Sequence, residues 1–282
     1  MNASSETAQA AILSTGAPRR RLSMRRGAVA GTTILAVLTL FAVAAPLLVE
    51  GSPTRQNLMQ TLQPPGGSHL FGTDHLGRDM ALRLAAAIRV SLGIAVVTTA
   101  FAAVLGMCLG MLAGVRGGLV DRLLSTVADM VLALPGLLLV LLLVAIAPGK
   151  FWPLYLGISL VLWIEYFRMV RSAAIRIAAA PAVEASRLLG FGPLYIFRRH
   201  FWPEIAPMIL TIGAFGSAVA ILSVAALGFV NVGVRPPTPE LGQMMIELLP
   251  YYHEAPLALL QPIAVVFLLV LSLNLIAGGK AR

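Results

Sequence analysis

The chain has 282 residues, of which 58% are hydrophobic and only 12% charged, and its mean hydropathy is +0.87. An ordinary soluble domain carries roughly 25% charged residues, and one globular core cannot hide this much apolar side chain. The chain therefore reads as a membrane protein, and its net charge of +9 has to be judged by where it falls along the sequence.

Residues 1–26 are polar, rich in Ala, Ser, Thr and Arg, and are expected to be a disordered cytoplasmic tail. Charge is then absent between Arg26 and Glu50, Arg89 and Arg116, Asp129 and Lys150, Glu204 and Arg235, and Glu254 and Lys280. A helix needs about 20 apolar residues to cross the hydrocarbon, and a backbone in lipid must satisfy its own hydrogen bonds, so helices are the expected form. The runs are too long and uniform for barrel strands. A weaker run from Trp152 to about Val170, with Glu165 and Arg168 near its inner end, brings the predicted transmembrane helices to six. They fall at about 27–49, 91–115, 123–147, 153–171, 206–230 and 257–277. The first is too long for a signal-peptide core and reads as a retained anchor. The fold class is all-α, with residues 27–282 forming one polytopic bundle.

Between the spans lie an outer segment, 50–90, expected to be amphipathic from Asp79 onward, and a cytoplasmic loop, 172–205. An outer loop, 231–256, carries Pro236, Pro237 and Pro239. Six helices return the C-terminus to the side of the N-terminus. If that side is cytoplasmic, only Arg55, Arg78, Arg83, Arg89, Lys150 and Arg235 of the 21 basic residues lie outside, which leaves 15 (21 − 6) inside. The positive-inside rule then selects N-in and C-in. The charge orients the chain in lipid, and no nucleic-acid partner is expected.

Gly106, Gly110 and Gly114 are spaced for close approach by another helix, and Pro135 is expected to kink the third span. Cys108 is the single cysteine, so neither an intrachain disulfide nor a thiolate metal cluster is expected. Three charges fall within spans, where they are costly. Asp129 is expected to pair with a neighbouring arginine rather than line a pathway, and Glu165 and Arg168, three apart, to pair with each other. Lys150 and Lys280 stand in no phosphate-binding loop, and no zinc-protease or serine-hydrolase motif occurs. The chain is thus not expected to be an enzyme, and the inverted repeats, broken helices and midplane charges usual for an ion-coupled carrier are not found in the sequence.

The cytoplasmic loop reads Glu184, Ala185, Ser186, Arg187, Leu188, Leu189, Gly190, Phe191, and later Trp202, Pro203. Pro181 starts a helix that Gly190 can cap in the left-handed region. Gly192 and Pro193 turn the chain into a second short helix that Pro203 is expected to break. Such an elbow has little lipid to bury Leu188, Leu189 and Phe191 against, so a partner protein is the natural acceptor.

This segment is similar to the loop of ATP-binding-cassette importer permeases with the pattern Glu-Ala-Ala, three residues, Gly, nine residues, Ile-x-Leu-Pro. Glu184, Ala185, Gly190 and Pro203 match, whereas Ser186, His200 and Trp202 replace Ala, Ile and Leu. The outer stretch with Gly72, Thr73, Asp74, Gly77, Arg78 and Asp79 resembles the Gly-Thr-Asp…Gly-Arg-Asp signature of the peptide/nickel class, in its second, C-type permease. Ala226 to Phe229 with Gly233 to Gly242, and Asn274 to Gly279, resemble two further segments of that class. Read from residues alone, Thr73 or Asp74 can cap a turn, Asp79 can cap a helix from Met80 to Val90, and Arg83 is spaced to pair with Asp79. The signature reads first as architecture, with contact to a binding protein as the alternative.

The resemblance implies an inner-membrane permease whose elbow docks on an ATP-binding subunit. The implied partners are a homologous second permease, two ATP-binding subunits and a periplasmic or lipid-anchored substrate-binding protein. ATP and Mg belong to the partner subunits, and this chain holds no cofactor of its own. Short peptides are favoured as cargo over nickel or another chelated metal. His69, His75 and His253 with Met244 and Met245 lie on the outer side but form no ligand set at fixed helical spacing.

Overall fold

The computed structural model describes residues 26–280 apart from 68, 148–149, 231 and 235. The tail predicted over residues 1–26 lies outside the described residues except for Arg26. Apart from two isolated β-bridges, Gly66–His69 and Thr73–Asp79, the regular elements of the described chain are helices, and the long ones follow the uncharged runs. They are α1 (Arg26–Leu48), α2 (Met80–Arg116), α3 (Gly118–Leu132), α4 (Gly136–Ile146), α5 (Trp152–Ala178), α6 (Pro181–Leu188), α7 (Pro193–Ile196), α8 (Trp202–Phe229), α9 (Leu241–Leu248) and α10 (Pro256–Lys280).

The predicted third span is not one rod. Its two halves, α3 and α4, meet at 83°, because Pro135 removes a backbone donor and α4 restarts directly after it. Whether this pair crosses the membrane follows from its neighbours. Gly106, Gly110 and Gly114 of α2 lie in turn against Trp163 to Phe167, Phe167 to Arg171 and Arg171 to Ile175 of α5, so α2 and α5 run parallel. A chain that leaves α2 at one end and begins α5 at the other has to travel back between them. The α3–α4 arm is therefore a broken span, which brings the spans to six.

The glycine seam is as close as two backbones allow. A β-carbon at Gly106 or Gly110 would press on the carbonyl oxygen of Trp163 or Phe167, and one at Gly114 on Ala174. This helix pair makes the most extensive contact in the bundle, as small-xxx-small spacing allows in lipid. The hydroxyl of Ser159 extends the seam by donating to the Thr98 carbonyl at 3.1 Å. At the periphery α1 packs on α10 with Gly31 against Ser272 and Ala28 against Gly279, an antiparallel pair that brings both ends of the described chain together.

One expectation about α2 is corrected. Residues 80–90 were expected to form a separate amphipathic helix at the outer surface. Instead they are the first turns of a single 37-residue helix, and Met80 to Ile88 are all buried. These residues are Ala, Leu, Met and Ile apart from Arg83, whose charge is met inside the protein, so they need no solvent face.

Gly110→Leu is expected to force the seam apart, at a cost of about 1–3 kcal/mol or more from overpacking. The detergent-purified protein should melt several degrees lower, whereas Gly93→Leu, where a side chain meets open space, should not shift the midpoint. Equal midpoints for the two variants would show that the seam does not hold the bundle.

Candidate functional site

Two constructions occupy opposite ends of the α2–α5 pair. At the start of α2, Asp74 is the hub. Its Oδ1 accepts the backbone amides of Leu76 at 2.8 Å and Arg78 at 2.9 Å, which closes a turn. Its Oδ2 accepts Nε of Arg78 at 2.6 Å and Nη1 of Arg83 at 2.5 Å. Both arginines also reach Glu247 on α9, Arg78 at 2.7 Å and Arg83 at 2.8 Å. Two carboxylates and two guanidinium groups thus meet in a largely buried place, where Arg83 Nε alone of their nitrogens is buried without a partner, and they clamp the Asp74–Arg78 turn and α2 onto α9. Burial pushes the Glu247 carboxyl above its ordinary value, with Arg78 drawing it back down.

The rest of the outer signature serves this clamp. Thr73 Oγ1 donates to the Gln60 carbonyl and accepts the Gln63 amide at 2.9 Å. Gly72 lies against the Gln63 carbonyl, and Gly77, at φ +69°, lies so close to the Asn57 backbone that no side chain fits. Asp79 caps α2 by accepting the Leu82 amide at 3.0 Å. The expected Asp79–Arg83 pair does not form. Asp79 instead meets His69 Nδ1 at 2.8 Å, because the guanidinium of Arg83 is taken by Asp74 and Glu247. The clamp's fourth member, Glu247, was not among the sequence candidates. It stands alone in an apolar loop, and a short helix there was not expected. Glu240 caps that helix through the Gln243 amide at 2.9 Å, and Gly242 lets it lie on the Ala225 backbone of α8.

The elbow stands at the other end. Pro181 opens α6, Leu189 closes it, and Gly190 at φ +80° is the left-handed cap. The amides of Phe191 and Gly190 donate back to the carbonyls of Ser186 and Arg187, which is the Schellman arrangement. Val183 is buried with Ile177, Ile196, Phe201 and Ile205 in a small core beneath the bundle. Ser186 is buried too, donates to the Ala182 carbonyl at 2.9 Å and lies 2.9 Å from Nε2 of His200. Two of the positions that depart from the loop pattern therefore bond to each other. Pro203 does not break the helix, as had been expected. The chain passes through a π-turn, Phe197–Phe201, which delivers the Trp202 amide to the Phe197 carbonyl and starts α8 with Pro203 in its first turn. There the missing N–H costs nothing.

The elbow's tip is apolar and open. Leu188 is 84% and Leu189 76% exposed, with Leu194 at 68%. Phe191 stacks on Tyr195 with centroids 4.3 Å apart, and Glu184 and Ala185 are exposed beside them. Within the bundle, Arg168 reaches Asp129 at 2.7 Å. Asp129 thus pairs with an arginine as expected. The expected Glu165–Arg168 pair is absent among the described residues, because Arg168 extends toward α3 instead.

Comparison with known proteins joins these features. The family described as "binding-protein-dependent transport system inner membrane component" matches residues 106–279, and the "N-terminal TM domain of oligopeptide transport permease C" matches residues 18–65. The chain is a C-type permease of the ABC importers of the peptide and nickel class. It is similar to the dipeptide transport permease DppC of Haemophilus influenzae, 33% identical over 90% of this chain and 88% of that one. It is also similar to the nickel transport permease NikC of Escherichia coli, 34% identical over 87% of this chain and 89% of that one. A solved inward-facing structure of the MetNI methionine ABC transporter shares the fold, with a TM-score of 0.52 at 20% identity over 68% of this chain and 93% of that one. A permease of this family is a non-catalytic membrane component that works with a binding protein and an ATPase.

Asp74→Asn leaves two buried guanidinium groups short of a counter-charge, so it is expected to destabilise the permease by about 3–5 kcal/mol. Glu247→Gln should cost less, because Glu247 keeps 18% of its side-chain surface exposed against 1% for Asp74. Thermal unfolding in detergent reads the order, and an unchanged midpoint for Asp74→Asn would contradict the clamp.

Proposed function

We propose that this permease forms half of the translocation pathway of an importer for short peptides. Both termini and the elbow lie in the cytoplasm, and the Asp74–Glu247 clamp lies outside. The other half is a homologous second permease, two ATP-binding subunits carry ATP and Mg, and a periplasmic or lipid-anchored binding protein delivers the cargo. The orientation is supported by the 15 basic residues (21 − 6) on the elbow side.

The observation that carries the reading is the elbow's apolar tip. Leu188, Leu189 and Leu194 project where there is neither core nor hydrocarbon to receive them, so a protein groove is what they fit. Closure of the ATP-binding subunits on ATP would push the elbow, and α5 and α8, which leave it on either side, would carry the push into the membrane. Access then alternates between the two faces, and hydrolysis resets it.

Peptide cargo is favoured over nickel by the state of the outer histidines. His69 is engaged by Asp79, His75 stacks on Tyr251 with centroids 5.5 Å apart, and His253 lies against Tyr252. Among the described residues, the one set with metal-ligand spacing is Asp74, His75 and Glu247, and its two carboxylates already hold Arg78 and Arg83. A cation would have to displace both guanidinium groups. The nickel reading is supported by the similarity to NikC, which is as strong as that to DppC.

Gly190→Val places a β-branched residue in the left-handed region, and Glu184→Lys reverses the charge at the first turn of α6. Both variants should insert and assemble, yet lose at least about tenfold of the ATPase stimulation that the loaded binding protein evokes, about 1.4 kcal/mol or more in activation free energy. Full stimulation in either variant would sink the coupling role. Side is tested separately in a Cys108→Ala background. A cysteine at Asn57 should react with an impermeant thiol reagent on intact cells and one at Arg187 only after lysis, and the reverse pattern would invert the orientation.

A further inference from the structure

Other exposed faces of the bundle carry aliphatic side chains, such as Val37, Leu40 and Val43 on α1 and Val97 and Val104 on α2. The free face of α5 is different. Its seam side carries Trp163, Phe167, Val170 and Ala174, all buried. Its opposite side carries Glu165, Arg168, Ser172 and Arg176, all exposed and spaced three, four and four residues apart, which aligns them on one helical face. The neighbouring helices add charge to this stripe. Asp129 of α3 meets Arg168 at 2.7 Å, and Glu204 of α8 meets Arg176.

Glu165 lies 13 residues (165 − 152) beyond the start of α5, about 20 Å along a helix. The hydrocarbon core is about 30 Å thick, so, counted from the start of α5, Glu165 stands inside it about two thirds of the way toward the elbow end. Exposed ionised groups at that depth face water or protein, not acyl chains. Asp129 and Glu204 are matched by the two arginines, whereas Glu165 has no ion-pair partner among the described residues. The stripe of three carboxylates and two guanidinium groups is left with a net charge of −1.

We propose that this stripe is one wall of a water-filled passage in the elbow-side half of the membrane, and that Glu165 is the group that meets a cationic part of the solute, such as the ammonium terminus of a peptide. The inference rests on the permease reading but uses no property of the elbow. Its mixed charges suit a zwitterionic solute, because the arginines offset all but one carboxylate and the passage attracts cations without trapping them.

The test needs no knowledge of the cargo. In the complete transporter, in inverted membrane vesicles and a Cys108→Ala background, single cysteines replace Met169, Ser172 and Val104. They are titrated with methanethiosulfonate reagents of opposite charge. Met169 is 42% exposed and one turn from Glu165, whereas Val104 is on an aliphatic face. The cysteines at 169 and 172 should react and the one at 104 should not. With each rate taken relative to that with a small free thiol, the cationic reagent should outpace the anionic one at 169 by roughly threefold to tenfold, the effect of a unit charge over about 6 Å in water on probes of opposite sign. Glu165→Gln should abolish that preference and Glu165→Asp should keep it. Silence at 169 and 172, with and without ATP, would mean a dry interface with the second permease and overturn the passage. A preference that survives Glu165→Gln would overturn the role of Glu165. Failure of the elbow reading would look different, as lost ATPase stimulation with labelling intact.

Discussion

The architecture depends on the glycine seam between α2 and α5. In lipid the hydrophobic effect does not press helices together, so contact area and close approach have to do it. Three glycines at four-residue intervals bring one backbone against the other over the stretch from Trp163 to Ile175. Because the pair is parallel, each end of it acquires a distinct task. The start of α2 is held in the Asp74–Arg78–Arg83–Glu247 clamp, and the end of α5 leads through Ala179 and Ala180 into the elbow. The helix that leads into the elbow is thus the one packed on α2 along this seam.

The seam also determines which face of α5 is free. With Phe167, Val170 and Ala174 committed to α2, the opposite face is open between α3 and α8, and that is where Glu165, Arg168, Ser172 and Arg176 stand. A buried charge network is weak evidence for stability, since desolvation offsets much of the attraction. Its value here is geometric. The clamp holds Asp74 and Arg78, the start of α2 and α9 in one arrangement.

Much of this was legible in the sequence, because the relevant signals are local. Uncharged runs marked the spans, the spacing of Gly106, Gly110 and Gly114 announced a close contact, and Gly190 announced a left-handed cap. What could not be read was partner choice over distance. Asp79 and Arg83 have the spacing of an ion pair, yet Asp74 and Glu247 outcompete Asp79, and Glu247 lies far along the chain. Glu165 and Arg168 have helical spacing too, but Asp129 on α3 is the better-placed acceptor. Pro203 looked like a breaker because the π-turn that accommodates it leaves no mark in composition. The break at Pro135 was visible, but its 83° angle was not, since a proline reports a lost hydrogen bond and not the direction the chain then takes.

The central claim is that an exposed apolar elbow couples this permease to ATP hydrolysis. It is tested most directly by placing a photo-crosslinking amino acid at Leu189, which is 76% exposed, in the complete transporter. The account predicts a crosslink to an ATP-binding subunit, strengthened or shifted when ATP is trapped. Crosslinks to lipid alone, or to the second permease and not to the ATP-binding subunit, would contradict it.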